Sequence, residues 1–319
     1  VPQPDTRDVH IDAILTQYSL AYQNRAYIAD SLFPVVSVSK QSDKYFTYDK
    51  AHWFRDIAQL RAPATETVGS GYTLSTASYF ADNYGFHYDI PDEVRANADN
   101  PIRPDQEGVN LVTDRLQMKR ERLWATSFFT TGVWTGATDA TGGVDFTLWS
   151  TYGTSDPIVD LETRMNTMRT TTGRRPNTLV MGAAVWSSLK NHPDFIDRIK
   201  YTQKGLVTKD LFASLIDMDA NRIFIGEAIV DTSIEGATSS FSDIWGKHVL
   251  LLYVDPTVGP MTPTAGLTFV WDRFGGGALQ YMRRLRLDKT MSDRIEGLSY
   301  FDQKQVAADL GAFLSGAVA

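Results

Sequence analysis

The sequence predicts an α+β fold with two subdomains and two protruding pieces. Three observations carry that reading. Residues Tyr84–Ile90 alternate like a half-buried strand. Pro104–Thr131 carries apolar residues at helical spacing over an unusual length. Asp156–Tyr201 passes from helix to strand to helix in a compact run.

The elements follow in order. Val9, Ala13, Ile14, Tyr18 and Ala21 fall at helical spacing, which predicts a short amphipathic helix over Val9–Tyr22. A plain surface helix and an arm lying on a neighbouring subunit fit that pattern equally. Leu32–Val38 (LFPVVSV) and Lys44–Tyr48 (KYFTY) read as strands, being rich in aromatic and β-branched residues. Asp49–Tyr72 holds many charges, Pro63 and Gly69-Ser70-Gly71, with little periodicity. Tyr84, Phe86, Tyr88 and Ile90 then share one strand face, with Gly85, His87 and Asp89 on the other. Val35–Ile90 is thus an extended β excursion with a flexible polar tip. Two strands alone are marginally stable and leave open edges, so the excursion needs a surface to lie on. Its aromatic face points to protein.

In the long helix, Pro104 suits the first turn, and Asp105 and Glu107 suit its positive end. Val109, Val112, Leu116, Leu123 and Phe128 form the apolar stripe, with Arg115, Lys119, Arg120 and Arg122 mainly outside it. Such a helix is about 40 Å long. Gly132–Ser155, rich in Gly and Thr, reads as a flexible crossing. Asp156-Pro157 opens a helix continued by Ile158, Leu161, Met165 and Met168 and ended by Gly173. Arg174-Arg175-Pro176 leads into a strand at Thr178–Met181, a turn at Gly182, a helix at Ala184–Lys190, and a second amphipathic turn after Pro193. Beyond Thr208 the elements shorten. Lys209–Leu215 reads helical, and Arg222–Ile225, Val249–Val254, Leu267–Trp271 and Ala278–Leu287 read as strands between Gly and Pro turns.

Composition narrows the function. The 319 residues are 43% apolar, 22% charged and 12% aromatic, enough for a substantial core. A net charge of −7 argues against a protein that wraps DNA by neutralising phosphates, though not against a container for it. The absence of cysteine removes disulfides, thiolate metal sites and cysteine nucleophiles. No apolar run is long enough for a membrane span, so no membrane partner is expected. The start, VPQPDTRDVH, lacks the basic and apolar regions of a signal peptide and an initiator Met. Met removal and propeptide cleavage both fit it.

No complete catalytic, metal or cofactor site emerges. His10, His52, His87, His192 and His248 have no second histidine at helical metal-binding spacing. His192, before Pro193, reads as a surface or capping residue. Asp288–Glu296 gathers carboxylates without the glycine of a calcium loop, and Lys289 and Arg294 intrude, so it reads as a solvated, salt-bridged segment. Gly69–Gly71 and Gly275–Gly277 precede strands rather than the helix of a phosphate cradle. Asp92 and Glu93 lack the second clustered pair that would give acid/base chemistry weight. Arg284 and Arg286 share a strand face, and in an acidic chain they are expected to pair with carboxylates of a neighbouring subunit.

The tracts FPVVSVSKQSDKYFTYDKAHWFRD (Phe33–Asp56), YGFHYDIPDEVRANAD (Tyr84–Asp99), NTLVMGAAVWSSLKNHPDFIDRIKY (Asn177–Tyr201) and LDKTMSDRIEGLSYFDQKQVAADL (Leu287–Leu310) resemble the major capsid proteins of tailed bacteriophages. The resemblance covers nearly the whole chain through order and spacing rather than a short signature. It implies the HK97-like fold. On that basis residues 1–34 form an N-terminal arm, 35–91 the extended loop and 92–204 the long spine helix and peripheral domain. Residues 205–286 form the axial domain, and 287–319 return to the peripheral domain. It implies a non-enzymatic subunit, without cofactors, that assembles as hexamers and pentamers into an icosahedral shell. The shell would enclose double-stranded DNA with little specific contact. It would be built in the host cytoplasm as part of the virion, with portal, scaffolding and decoration proteins as further partners. The expected intersubunit contacts are Ile14 and Tyr18 of the arm; Tyr45, Tyr48, Trp53, Phe54, Arg55, Tyr72 and Tyr79 of the loop; and Arg284 and Arg286. Some relatives cross-link this loop by a Lys–Asn bond. Lys40, Lys44 and Lys50 lie in the right segment, but no partner Asn or catalytic acid can be matched, so no cross-link is expected. Two other readings are an encapsulin-like nanocompartment and a carbohydrate-binding or carbohydrate-active protein using the aromatic face with Asp92 and Glu93.

Overall fold

A computed structural model describes residues 27–48, 50, 54–71, 73–98, 103–199, 207–257, 259, 262–272 and 279–319. The expected helix at Val9–Tyr22 lies outside them. The chain divides into two compact units, whose boundaries fall within the long helix and within one long strand. Among the described residues, unit 1 comprises those within 83–119 and 280–299, and unit 2 those within 27–82, 120–279 and 300–319.

Unit 2 is organised by a five-stranded sheet. Its strands are β5 (Ala140–Thr141), β6 (Thr178–Gly182), β7 (Ile223–Gly226), β10 (Val249–Leu252) and β14 (Gly311–Ser315), in the order β5-β14-β10-β6-β7. The central strands read as unbroken apolar runs because both faces of the sheet are buried. Strand alternation sorts their side chains. Leu179, Met181, Val249, Leu251, Ala312 and Leu314 join the core formed with α4 (Pro157–Thr172), α5 (Ala183–Lys190), α6 (Pro193–Ile199) and α7 (Lys209–Leu215). Val180, Leu250, Leu252 and Phe313 join an aromatic core with Phe33, Trp124, Phe128, Phe129, Trp134 and Trp245.

The helix signals hold. Asp156 caps α4 by accepting from Val159 N, and Gly173 closes it in the left-handed region at φ 69°. Thr208 caps α7 in the same way through Leu211 N. The boundary expected between residues 204 and 205 runs through one sheet, because β7 and β10 both pair with β6. The C-terminal strand β14 also pairs with β10.

Gly132–Ser155 is packed, not a flexible crossing. Trp134 and Trp149 are buried, and their indoles donate to Phe128 O at 2.7 Å and to Asp160 at 2.9 Å. Its glycines let backbone approach backbone: Gly136 N donates to Gly311 O and Gly142 N to Ser315 O.

Leu32–Val38 is not one strand. Ala29–Leu32 is a helical turn, α1, and the strand β1 begins at Val35. A buried carboxylate explains the turn. Glu121 accepts from Ile28 N at 3.1 Å, Ala29 N at 2.7 Å and Trp245 Nε1 at 2.7 Å. Burial pushes its carboxyl upward, and these donors oppose that. Beside it Arg120, expected outside the apolar stripe, is buried and makes a two-pronged ion pair with Asp30 at 2.9 and 2.8 Å. Phe33 then packs at 5.2 Å from both Trp124 and Phe128. From this anchor β1 (Val35–Val38) pairs in parallel with β11 (Gly266–Trp271), which pairs antiparallel with Phe301–Gln305 of β13 (Ser292–Gln305). A separate hairpin, β8 (Ile229–Asp231) and β9 (Phe241–Asp243), is organised by Asp231. Its carboxylate accepts from Ser233 Oγ, Ser233 N and Ser240 N, which lowers its pKa to about 2.

Unit 1 packs the first part of α3 (Pro104–Phe128, 25 residues) on a sheet of β4 (Asp82–Pro91), the start of β13 and β12 (Tyr281–Leu287). A short helix, α2 (Asp92–Ala96), follows β4 directly. Ile90, Val112, Leu116 and Ile295 make the core of the unit, with Tyr84 against them. Val109, expected in the stripe, is exposed. Two glycines permit close contact. A Cβ on Gly297 would enter the space of Val112 and Leu116, and one on Gly108 would touch Ile295 and Tyr88.

Two substitutions test these anchors. Glu121→Ala leaves buried N–H donors unpaired and should cost about 3 kcal/mol. Gly226→Ala drives a methyl into the Trp245 indole and should cost about 2–3 kcal/mol. Denaturant unfolding of the full chain followed by tryptophan fluorescence measures both.

Candidate assembly surface

Strands β2 (Ser42–Tyr48) and β3 (Leu74–Phe80) form a two-stranded ribbon in unit 2, in register from Ser42 opposite Phe80 to Tyr48 opposite Leu74. It is narrower than the expected Val35–Ile90 excursion, because β1 and β4 pair with strands of the two units instead. The ribbon's base is fixed. Tyr79 stacks on Phe269 at 4.5 Å and Tyr45 lies 5.3 Å from the same ring. Phe80 N donates to Asp302 at 2.8 Å, and the Tyr79 hydroxyl donates to Lys40 O at 3.2 Å. Burial pushes the Tyr45 and Tyr79 phenols and the Asp302 carboxyl upward.

Alternation gives the ribbon a second face. Ser42, Lys44 and Phe46 of β2 lie across from Phe80, Ser78 and Thr76, and Leu74 follows on the same side. Phe46 is 61% exposed, Leu74 45% and Phe80 53%. Apolar residues in the connecting segment are open as well, including Leu60 and Val68. That segment has no regular periodicity among the described residues.

The expected contact residues divide accordingly. Phe54 and Arg55 are exposed, although the Phe54 ring also lies against Gly173. Tyr45 and Tyr79 turn inward onto Phe269, so they anchor the ribbon rather than face outward. The backbone of Tyr48 pairs with Leu74, and its side chain is outside the description. Ile14, Tyr18, Trp53 and Tyr72 also lie outside the described residues. Phe46, Leu74 and Phe80 were absent from the expected set. The signal for them is register: Tyr45 and Tyr79 face the body, so their neighbours face out. Lys40 pairs with Asp43, and Lys50 pairs with Asp309 at 2.7 Å.

In unit 1 the carboxylate partners of Arg284 and Arg286 are on the same chain. Asp293 accepts from Arg284, from Arg95 at 2.7 Å and from Arg286 at 3.3 Å. Arg286 also grips Asp92 through both guanidinium nitrogens. Arg95 reaches Asp105 at 2.9 Å, and Arg294 holds Asp89 at 2.7 and 2.8 Å. The tract Asp288–Glu296 is salt-bridged as expected, but Ser292 and Asp293 are buried rather than solvated. Asp92 is engaged by Arg286, which leaves no free carboxylate pair with Glu93. Among the described residues no group of three or more His, Asp or Glu could hold a metal. No described helix is long and apolar enough to cross a membrane. His192 does cap, at the start of α6, but it is buried rather than on the surface.

These pairs set a pH dependence. Arg284 and then Arg95 hold the Asp293 carboxyl well below the usual range; Arg294 lowers that of Asp89, and Arg286 that of Asp92. Folded values below unfolded ones mean a contribution that is full above the ordinary Asp value of 3.8. It is lost as pH falls through the depressed values. Hydrogen exchange, corrected for intrinsic rates, should therefore show β12 and Ser292–Leu298 losing protection below about pH 4 but not between about pH 7 and 5.

No protein-family model matches the chain. It is 28% identical over 313 residues to the major capsid protein of Burkholderia phage BcepMu, covering 96% of each chain. It is 25% identical over 320 residues to the major capsid protein of Pseudomonas phage JBD67, covering 97% of each. Among solved structures, it matches a phage-related protein from Bordetella bronchiseptica RB50 with a TM-score of 0.70 and 22% identity, over 96% of this chain and 97% of that one. The capsid of Cyanophage P-SCSP1u gives 0.63 and 13%, over 100% and 96%. An encapsulin from Synechococcus elongatus PCC 7942 gives 0.52 and 10%, over 97% and 95%. The chain therefore has the HK97-like α+β capsid fold, and along its whole length it resembles phage major capsid proteins.

Proposed function

We propose that this chain is a phage major capsid subunit that assembles as hexamers and pentamers into an icosahedral head around double-stranded DNA. The observation that carries the reading is the outward ribbon face of Phe46, Leu74 and Phe80. Three large apolar side chains on one face of a two-stranded ribbon, standing off a well-packed body, favour burial against another protein. A second copy is the simplest partner, because closed symmetry covers every such face at once. Each contact is small, so apolar burial repeated over many subunits supplies the drive. The full-length similarity to phage major capsid proteins supports the same reading. In this scheme Phe54, Arg55 and the arm residues Ile14 and Tyr18 also meet neighbouring subunits. Arg284 and Arg286 stiffen their own unit and reach neighbours only with whatever donor capacity their own carboxylates leave. Portal, scaffolding and decoration proteins would complete the head, and assembly would take place in the host cytoplasm.

The nanocompartment reading is favoured by one observation, the structural likeness to an encapsulin. It is weaker than the phage reading, since the sequence relatives are phage proteins. Electron microscopy and content analysis of particles from producing cells separate the two. Closed shells holding double-stranded DNA are expected, whereas a protein cargo without DNA would support the nanocompartment. Small oligomers at high concentration would contradict both.

Phe46→Asp combined with Leu74→Asp should leave thermal unfolding of the dispersed subunit within a few degrees of the parent. It should reduce closed shells at least tenfold by particle counting. Normal shell yield from the double variant would overturn the role of this face.

A further inference from the structure

The loop before α4, the end of α5 and the start of α6 meet at one imidazole. His192 is fully shielded from solvent. Its Nε2 lies 2.9 Å from Ser155 Oγ, and its Nδ1 accepts the backbone N–H of Asp194 at 3.3 Å. A ring nitrogen that accepts carries no proton, so these partners assign the neutral ring with its proton on Nε2. Ser155 agrees with that assignment. Its hydroxyl donates to Thr151 O at 2.9 Å and so has a lone pair free for the Nε2–H. Serine, histidine and carboxylate adjoin here without forming a nucleophile relay. In such a relay the ring accepts the serine proton, whereas here it donates to the serine, and Ser155 is itself buried.

A second acceptor waits beside Nδ1. Asp194 Oδ2 lies 3.4 Å from it and is buried with no hydrogen-bond partner. The site therefore has two alternative arrangements. With the ring neutral, Nδ1 receives the Asp194 N–H and the carboxylate oxygen is unpaired. With the ring doubly protonated, Nδ1 donates to that oxygen and the N–H is released.

We propose that His192 is an acid-operated latch, which on protonation exchanges the Asp194 backbone N–H for the Asp194 carboxylate and loosens the first turn of α6. The charges acting on the ring come from Asp194 on α6 and Asp156 at the start of α4, and both favour the cation. Burial outweighs them and holds the ring below the ordinary imidazole value. Tyr152 and Phe195 meet the ring edge-on at 5.5 and 6.2 Å. The contact from α5 is the Leu189 carbonyl, which receives His192 N. The neutral arrangement is thus fully stabilising above the ordinary value of 6.5 and is lost as pH falls through the depressed one. His248 offers an internal contrast. Its Nδ1 accepts from Gly316 N at 3.0 Å, but its lowered pKa is due to burial alone, with no carboxylate acting on it.

The test is solid-state NMR of the full chain carrying 15N-histidine, from about pH 7.5 to about 4.5, with hydrogen exchange of Phe195 and Ile196 measured in parallel. The expected result is a neutral His192 with Nε2 protonated. It becomes doubly protonated below the ordinary histidine range, and exchange of the two amides, both bonded to His192 O, accelerates at the same midpoint. Asp194→Asn should lower the His192 midpoint by about one pH unit, a tenfold change in proton concentration, and Asp194→Glu should restore most of it. A neutral ring protonated on Nδ1, an unchanged midpoint in D194N, or a charged ring with no faster exchange would each overturn the proposal. If D194N does not fold, the tautomer and exchange readouts on the parent chain and on D194E still decide it.

Discussion

A two-stranded ribbon has two faces, and in this protein its own body covers only one. Tyr45 and Tyr79 bring the inner face onto Phe269, and Asp302 fixes the end of β3 through Phe80 N. These contacts determine which side chains point away. Strand alternation leaves no choice, and Phe46, Leu74 and Phe80 are turned outward together. Among the described residues β2 and β3 have no further strand partner, so their outer edges are open too. Open edges and apolar side chains on one ribbon are a liability for an isolated molecule and an asset for one that meets copies of itself.

The root of the ribbon is held. Glu121 and Arg120 are buried charges on adjacent residues of α3, and each is matched by donors or a carboxylate near residues 28–30. Removing one partner of such a group strands the other in a dry environment, which costs several-fold more than the net value of the pair. The aromatic cluster of Phe33, Trp124, Phe128 and Trp245 packs around the same place. Chain leaving this root enters β1 and then the ribbon. In unit 1 the corresponding rigidity comes from charge. Asp293 gathers three guanidinium groups, and adjacent strands are tied by Arg294 and Asp89.

Much of this was legible in the sequence. The α4 helix announced itself with Asp156, Pro157 and Gly173, and the buried strand β6 with the run Thr178–Met181. The long helix was placed almost to its ends by Pro104 and its apolar spacing. What could not be read depends on tertiary placement. Arg120 and Glu121 look like solvent-facing charges on a helix until Asp30 and Trp245 are brought to them from far along the chain. Leu32 and Phe33 read as strand because their apolar character says nothing of the Glu121 carboxylate that caps a helical turn there. Gly136 and Gly142 read as flexibility, yet their function is close backbone approach. Which strands share a sheet was hidden for a related reason: β6, β10 and β14 are distant in sequence and only pairing brings them together. For the ribbon, the segment is legible in the sequence but the direction of its faces is not. Aromatic residues recur along the ribbon, and which of them point outward follows from its attachment at Phe269.

The proposed shell depends on the outward ribbon face being buried by another copy. Hydroxyl-radical footprinting with mass spectrometry, on dispersed subunits and on assembled particles of the same chain, measures that directly. Phe46, Leu74 and Phe80 should be strongly labelled in the subunit and protected several-fold in the particle, while Tyr79, already covered by Phe269, should change little. Equal labelling of those three side chains in both states would contradict the account.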